Sequence, residues 1–169
     1  MSQEQYTNYN LIYGDWFRAK KKVVNLSGKE VREKAHNQRQ PYCLTYLEND
    51  EETPYCFLEI NNKVFFVGFL DSLKRLYLSY SFHEDIPVKL FLFKATYFEY
   101  KSDSNTCLKM TDYTFSTDGE LKIIKTSNPD NSREILEAKN KIDVSGHWED
   151  YPEFGKYEKL IIKDRPLPN

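Results

Sequence analysis

Tyr55-Cys56-Phe57-Leu58-Glu59-Ile60 and Val64-Phe65-Phe66-Val67-Gly68-Phe69-Leu70 are two apolar runs joined by the turn residues Asn61-Asn62-Lys63. Aromatic and β-branched residues fill both runs, as pleated strands favour. The Asn-Asn pair supplies side chains that tolerate the left-handed backbone of a tight turn. The two runs therefore read as a β-hairpin. The second is apolar on both faces, which predicts a central strand covered on each side.

Working outward, the same rhythm recurs. Tyr42 to Leu47 precedes the hairpin, separated from it by Glu48-Asn49-Asp50-Glu51-Glu52. Leu76 to Phe82 alternates, predicting Leu76, Leu78, Tyr80 and Phe82 on the core face and Ser79 and Ser81 opposite. Val88 to Tyr100, entered through Pro87, is aromatic on both faces and is expected to bend or to cross between layers. Cys107 to Phe115 and Glu120 to Lys125 flank Asp118-Gly119, a second hairpin signal. After Asn128-Pro129-Asp130-Asn131, Arg133 to Val144 fits period two at Leu136, Ala138, Ile142 and Val144 but also contains Glu, Ala and Lys, which favour helix; the period points to a strand. Upstream, a strand is expected within Asp15 to Val24 and a short helix over Val31 to Gln38, with Ser27 as N-cap candidate. Tyr157 to Lys163 reads as a short amphipathic helix halted before Pro166.

The fold class that follows is mainly β: an antiparallel sheet of eight or nine strands, barrel-like or strongly curved, with one or two short helices, forming a single domain over residues 1–169. The 15% aromatic content, with 13 Tyr and 11 Phe, suits rings paired across strands. A formal charge of -2 supplies no global field toward nucleic acid or an acidic bilayer. No apolar run is long enough for a membrane-spanning helix, and the start MSQEQYTNYN carries no export pattern, so a cytoplasmic location is expected. Cys43, Cys56 and Cys107 are an odd, widely spaced set, read as reduced thiols rather than disulfides or metal ligands.

The sequence holds no nucleophile elbow, phosphate loop, CxxC or HExxH spacing, so neither a catalytic residue nor a cofactor nor a metal is assigned. Convergent carboxylates such as Glu59 and Glu99 remain an enzyme reading of lower rank. His83-Glu84-Asp85 reads as a polar turn, and Arg18-Ala19-Lys20-Lys21-Lys22 as a solvated edge. Two segments stand out as contact candidates. Glu48, Asp50, Glu51 and Glu52 form an acidic loop suited to a cationic partner. His147, Trp148, Glu149, Asp150 and Glu153 combine an imidazole, an indole and carboxylates in one apparent loop.

Two resemblances add expectations. Gly14-Asp15-Trp16 and Thr111-Asp112-Tyr113, in this order and wide apart, resemble the G-x-W and T-D-Y signatures of lipocalins. That resemblance implies a closed barrel with Trp16 at its closed end and a carrier cavity lined by residues such as Phe66, Tyr80, Phe91 and Tyr97. In length, aromatic richness and lack of catalytic motifs the chain also resembles the small immunity proteins that bacteria pair with toxins. This second resemblance implies a non-enzymatic inhibitor, monomeric or weakly dimeric, that covers the active site of a cationic toxin domain.

Overall fold

The computed structural model describes residues 9–49 and 52–166. Its strands are β1 (Tyr9–Ile12), β2 (Asp15–Phe17), β3 (Lys22–Val24), β4 (Tyr42–Glu48), β5 (Pro54–Asn61), β6 (Val64–Leu70), β7 (Leu76–Ile86), β8 (Lys89–Tyr100), β9 (Cys107–Phe115), β10 (Leu121–Ser127), β11 (Ser132–Glu137) and β12 (Trp148–Asp150). One helix, α1, covers Lys29–Asn37. Ten strands form one antiparallel sheet in the order β1-β4-β5-β6-β7-β8-β9-β10-β11, with β12 attached to β8. Among the described residues β2 and β3 pair only with each other.

The Asn61-Asn62 hairpin forms as read: Asn61 faces Val64, and Asn62 takes the positive φ of 54° that the turn requires. From β4 to β11 each strand pairs with its predecessor, so the chain runs as a meander with alternating ends. β8 is long enough to serve two neighbours on one edge, β9 along Lys94–Tyr100 and β12 along Lys89–Phe91. One bulge lies on it, at Phe93 between the Ser81–Lys94 and Phe82–Leu92 pairs.

One sheet face carries Tyr42, Leu44, Tyr46, Leu58, Ile60, Phe65, Val67, Phe69, Tyr80, Phe82, Leu92 and Ala95, and against it pack Tyr157, Leu160 and Ile161 from the C-terminal segment. The opposite face holds a smaller cluster of Trp16, Phe57 and Leu70, with Val23, Phe66 and Leu76 against it. β6 is thus covered on both sides, with the β2–β3 hairpin as its outer lid. Arg18 lies 5.0 Å from the Phe57 ring and 5.1 Å from the Phe66 ring and reaches Glu59 at 3.2 Å.

Several expectations need correction. Among the described residues β1 and β11 stand at the two ends of the strand order and do not pair with each other, so the sheet is open and not a closed barrel. Trp16 lies on the outer face against Phe57, not at a barrel end, and Thr111-Asp112-Tyr113 lies within β9. The Asp15 to Val24 strand is two short strands, broken at Lys21, whose φ is 49°. Leu76 joins the outer cluster rather than the core, because a bulge at Phe69/Leu70 shifts the pairing there. The strand read over Arg133 to Val144 ends at Glu137. Tyr157 to Lys163 makes one turn, with Leu160 and Ile161 N–H donating to the Tyr157 carbonyl, and no helix. Gly28, not Ser27, occupies the N-cap; the Ser27 hydroxyl instead accepts from Arg32 at 2.7 Å.

Candidate functional site

The two candidate segments lie at opposite ends of the sheet. Glu48 closes β4 and its N–H donates to Thr53, placing Glu48 and the exposed Glu52 beside the start of β5. Asp50 and Glu51 lie outside the described residues. Trp148 faces Phe91, which faces His83, which faces Val64, which faces Asn61 at the far end of β5. The run from Pro54 to Asn61 separates the two groups by roughly 23 Å at about 3.3 Å per residue.

At the Trp148 end, the carboxylates are engaged by this chain's own cations. Glu149 meets Arg165 at 2.8 Å with side-chain exposures of 14% and 7%, a buried pair. Asp150 lies 2.5 Å from Lys89 and 3.9 Å from Lys159, and Glu153 lies 2.5 Å from Lys156, all of them exposed. His147 is buried, with its ring 4.4 Å from that of Phe115, and Trp148 is half-buried at 4.9 Å from Phe91. The segment is therefore not an open loop: a 3-10 turn (Ser145–His147) and β12 bind it to β8.

Burial lowers the His147 pKa, against a raising bond to the Leu92 carbonyl. Among the described residues its Nδ1 is buried without a hydrogen-bond partner. Arg165 Nε is the second buried polar atom there without one. Both residues border a solvent-open concavity of about 420 Å³ with Asp143, Ser145 and Gly146.

The same end carries exposed apolar side chains. Val64, Ile86 and Val88 are 40%, 52% and 60% exposed. Val88 also has φ 59°, a conformation that a β-branched side chain resists. It is held there from several sides: its N–H donates to Glu84 at 2.9 Å, its carbonyl accepts from Tyr151 N–H at 2.8 Å, and Arg39 grips Glu84 at 2.9 Å while stacking 3.7 Å over the Tyr151 ring. Burial pushes the Glu84 pKa up, but the Val88 N–H and Arg39 outweigh it, so the net shift is downward. Pro87 was legible as a strand entry; the strain at Val88 was not, since only Gly or Asn would have signalled a positive φ.

The remaining candidates disperse. Tyr80 is buried in the main core and its hydroxyl donates to Lys163 O at 2.7 Å, with Tyr97 on the same face. Phe66 belongs to the outer cluster, and Phe91 packs on His83, His147 and Trp148. Tyr80, Phe91 and Tyr97 thus belong with the main core and Phe66 with the outer cluster. Glu59 pairs with Arg18 and Glu99 with Lys109. Among the described residues no group of three metal-ligating side chains occurs, and no helix is long and apolar enough to cross a membrane. The three cysteines are free; Cys56 is fully buried and Cys43, half-buried, has a thiol pushed by burial to about 12. No family model, curated protein or solved structure matches the chain.

Proposed function

We propose that the protein is a non-enzymatic binding protein of the inhibitor or immunity type, which covers a site on a cationic protein partner with the β7–β8 end of its sheet. The observation that carries this reading is the turn Ile86-Pro87-Val88, where two large aliphatic side chains are exposed and one sits in a strained backbone. Conformational strain of about 1–3 kcal/mol persists where surrounding contacts impose it, and such sites cluster at ligand clamps. Exposed aliphatics ringed by polar groups are the form that protein-contact surfaces take.

Asp150 and Glu153 belong to the rim of this surface, where their pairing with lysines can be exchanged for pairing with a partner's cations. Glu149 and His147 act from beneath, positioning β12. The acidic loop at Glu48 to Glu52 contributes through its field, drawing in a positively charged partner. A carrier reading fits less well, because Tyr157, Leu160 and Ile161 occupy the sheet face where a ligand would lie.

The test is to capture the partner on immobilised chain and compare Val88→Lys with Glu48→Lys/Glu52→Lys. Val88→Lys should abolish capture, and the acidic-loop variant should slow association without removing it. Capture unchanged by both variants would overturn the site assignment.

A further inference from the structure

The sheet ends at β11, all six of whose residues are exposed, and among the described residues no strand pairs with its outer edge. Ile135 and Leu136 are 50% and 40% exposed on this strand. A long, exposed edge carrying aliphatic residues is a template for another strand.

The direction of its backbone groups follows from one hydrogen bond. Ala138 N–H donates to Leu121 O at 3.0 Å, continuing the register in which Glu137 faces Lys122. Facing pairs in an antiparallel ladder alternate between hydrogen-bonded and non-hydrogen-bonded. Leu136, Glu134 and Ser132 therefore turn their N–H and C=O toward β10, while Arg133, Ile135 and Glu137 turn theirs outward. These three side chains also share one face of the strand.

We infer that β11 is the interface of a symmetric dimer, formed by antiparallel pairing with β11 of a second copy and centred on Ile135. In this register Ile135 faces its symmetry mate, Arg133 faces Glu137 of the other chain on both sides of the axis, and each facing pair makes two backbone hydrogen bonds. Shifting by two residues places Arg133 or Glu137 opposite Ile135. Shifting by four sets Arg133 against itself or Glu137 against itself. The strand is thus self-complementary in only one of the registers its backbone allows. On the β10 side, Lys122 and Lys125 already compensate Glu137 and Glu134 at 3.3 and 3.5 Å.

Sedimentation of the whole chain over about 1 µM to 1 mM tests this, because weak two-fold contacts dissociate within that range. The wild type should show a concentration-dependent dimer. Arg133→Glu and Glu137→Arg should each weaken it at least about tenfold by placing like charges opposite one another. An equimolar mixture of the two variants should dimerise again, since the carboxylate introduced in one chain then faces the guanidinium introduced in the other. Ile135→Pro, which removes an outward N–H and leaves the bonds to β10, should be monomeric with unchanged far-ultraviolet dichroism. A wild type monomeric throughout, or a dimer indifferent to all three variants, would overturn the inference.

Discussion

The hydroxyls of Tyr42 and Tyr157 lie 2.9 Å apart in the buried core, joining β4 to a residue 115 positions further along the chain. His36 extends the connection: its Nδ1 is 2.7 Å from the Tyr42 hydroxyl, and the Pro152 carbonyl engages the ring as well. One polar chain thus fastens helix α1 and the C-terminal segment to the sheet. Removing only the terminal hydroxyl, Tyr157→Phe, should cost about 1–2 kcal/mol, and Tyr157→Ala about 3–5 kcal/mol through the cavity it leaves. Urea denaturation measures both.

Acid should loosen the fold before its carboxylates titrate. Burial, reinforced by Arg39, lowers the His36 pKa from its ordinary 6.5, and burial lowers that of His147 likewise. The folded state keeps both rings neutral while the unfolded chain takes up protons as pH falls through 6.5. Their contribution is therefore complete above that ordinary value and declines as pH falls toward the folded values. Stability measured from about pH 7 to pH 5, the range in which histidine titrates, should fall, and the His36→Gln/His147→Gln double variant should lose most of that slope.

How much of this was legible depends on whether a signal was local. The hairpins at Asn61-Asn62 and Asp118-Gly119 carry their turn chemistry in adjacent residues; Gly119 has φ 92°, and an added Cβ would lie 2.6 Å from the Ile142 carbonyl. Tyr157, Leu160 and Ile161, by contrast, have helical spacing yet form one turn. The reason is distant: the Ile161 and Lys163 carbonyls accept from the Tyr55 and Tyr80 hydroxyls. Likewise the residue that neutralises Glu149 is Arg165, at a spacing with no regular-structure meaning. The candidate segment at His147 to Glu153 was found from its composition, but its neutralised carboxylates and the strained Val88 above it were not.

Gly68 should resist any side chain. It faces Phe57 across β5 and β6, and a Cβ there would lie 2.4 Å from Phe57 Cζ and 2.9 Å from Leu76 Cδ1. Phe57 is held against Trp16 and has little room to yield. Gly68→Ala should destabilise by about 1–3 kcal/mol, read as a lower melting temperature, despite the gain in strand propensity.

The Glu149–Arg165 pair should behave as structure and not as contact surface. Arg165→Leu or Glu149→Leu alone leaves a buried charge uncompensated and should cost about 3–5 kcal/mol, while the double variant should cost much less than the sum. A double-mutant cycle in chemical denaturation gives the coupling. Charge reversal at Glu149 would for the same reason damage the fold, so it cannot report on partner binding.

Strain at Val88 gives an opposite expectation. Val88→Gly relieves the positive φ and should stabilise the isolated protein by about 1 kcal/mol, while removing an exposed anchor from the proposed contact. A thermal melt paired with partner capture separates these effects: higher stability with weaker capture.

Native mass spectrometry of the tagged chain isolated from its own cells distinguishes a protein partner from a bound small molecule. One protein should be retained at fixed stoichiometry by the wild type and lost from Val88→Lys. A bare chain carrying a small-molecule adduct, equally in both, would contradict it and return attention to the interior of the sheet.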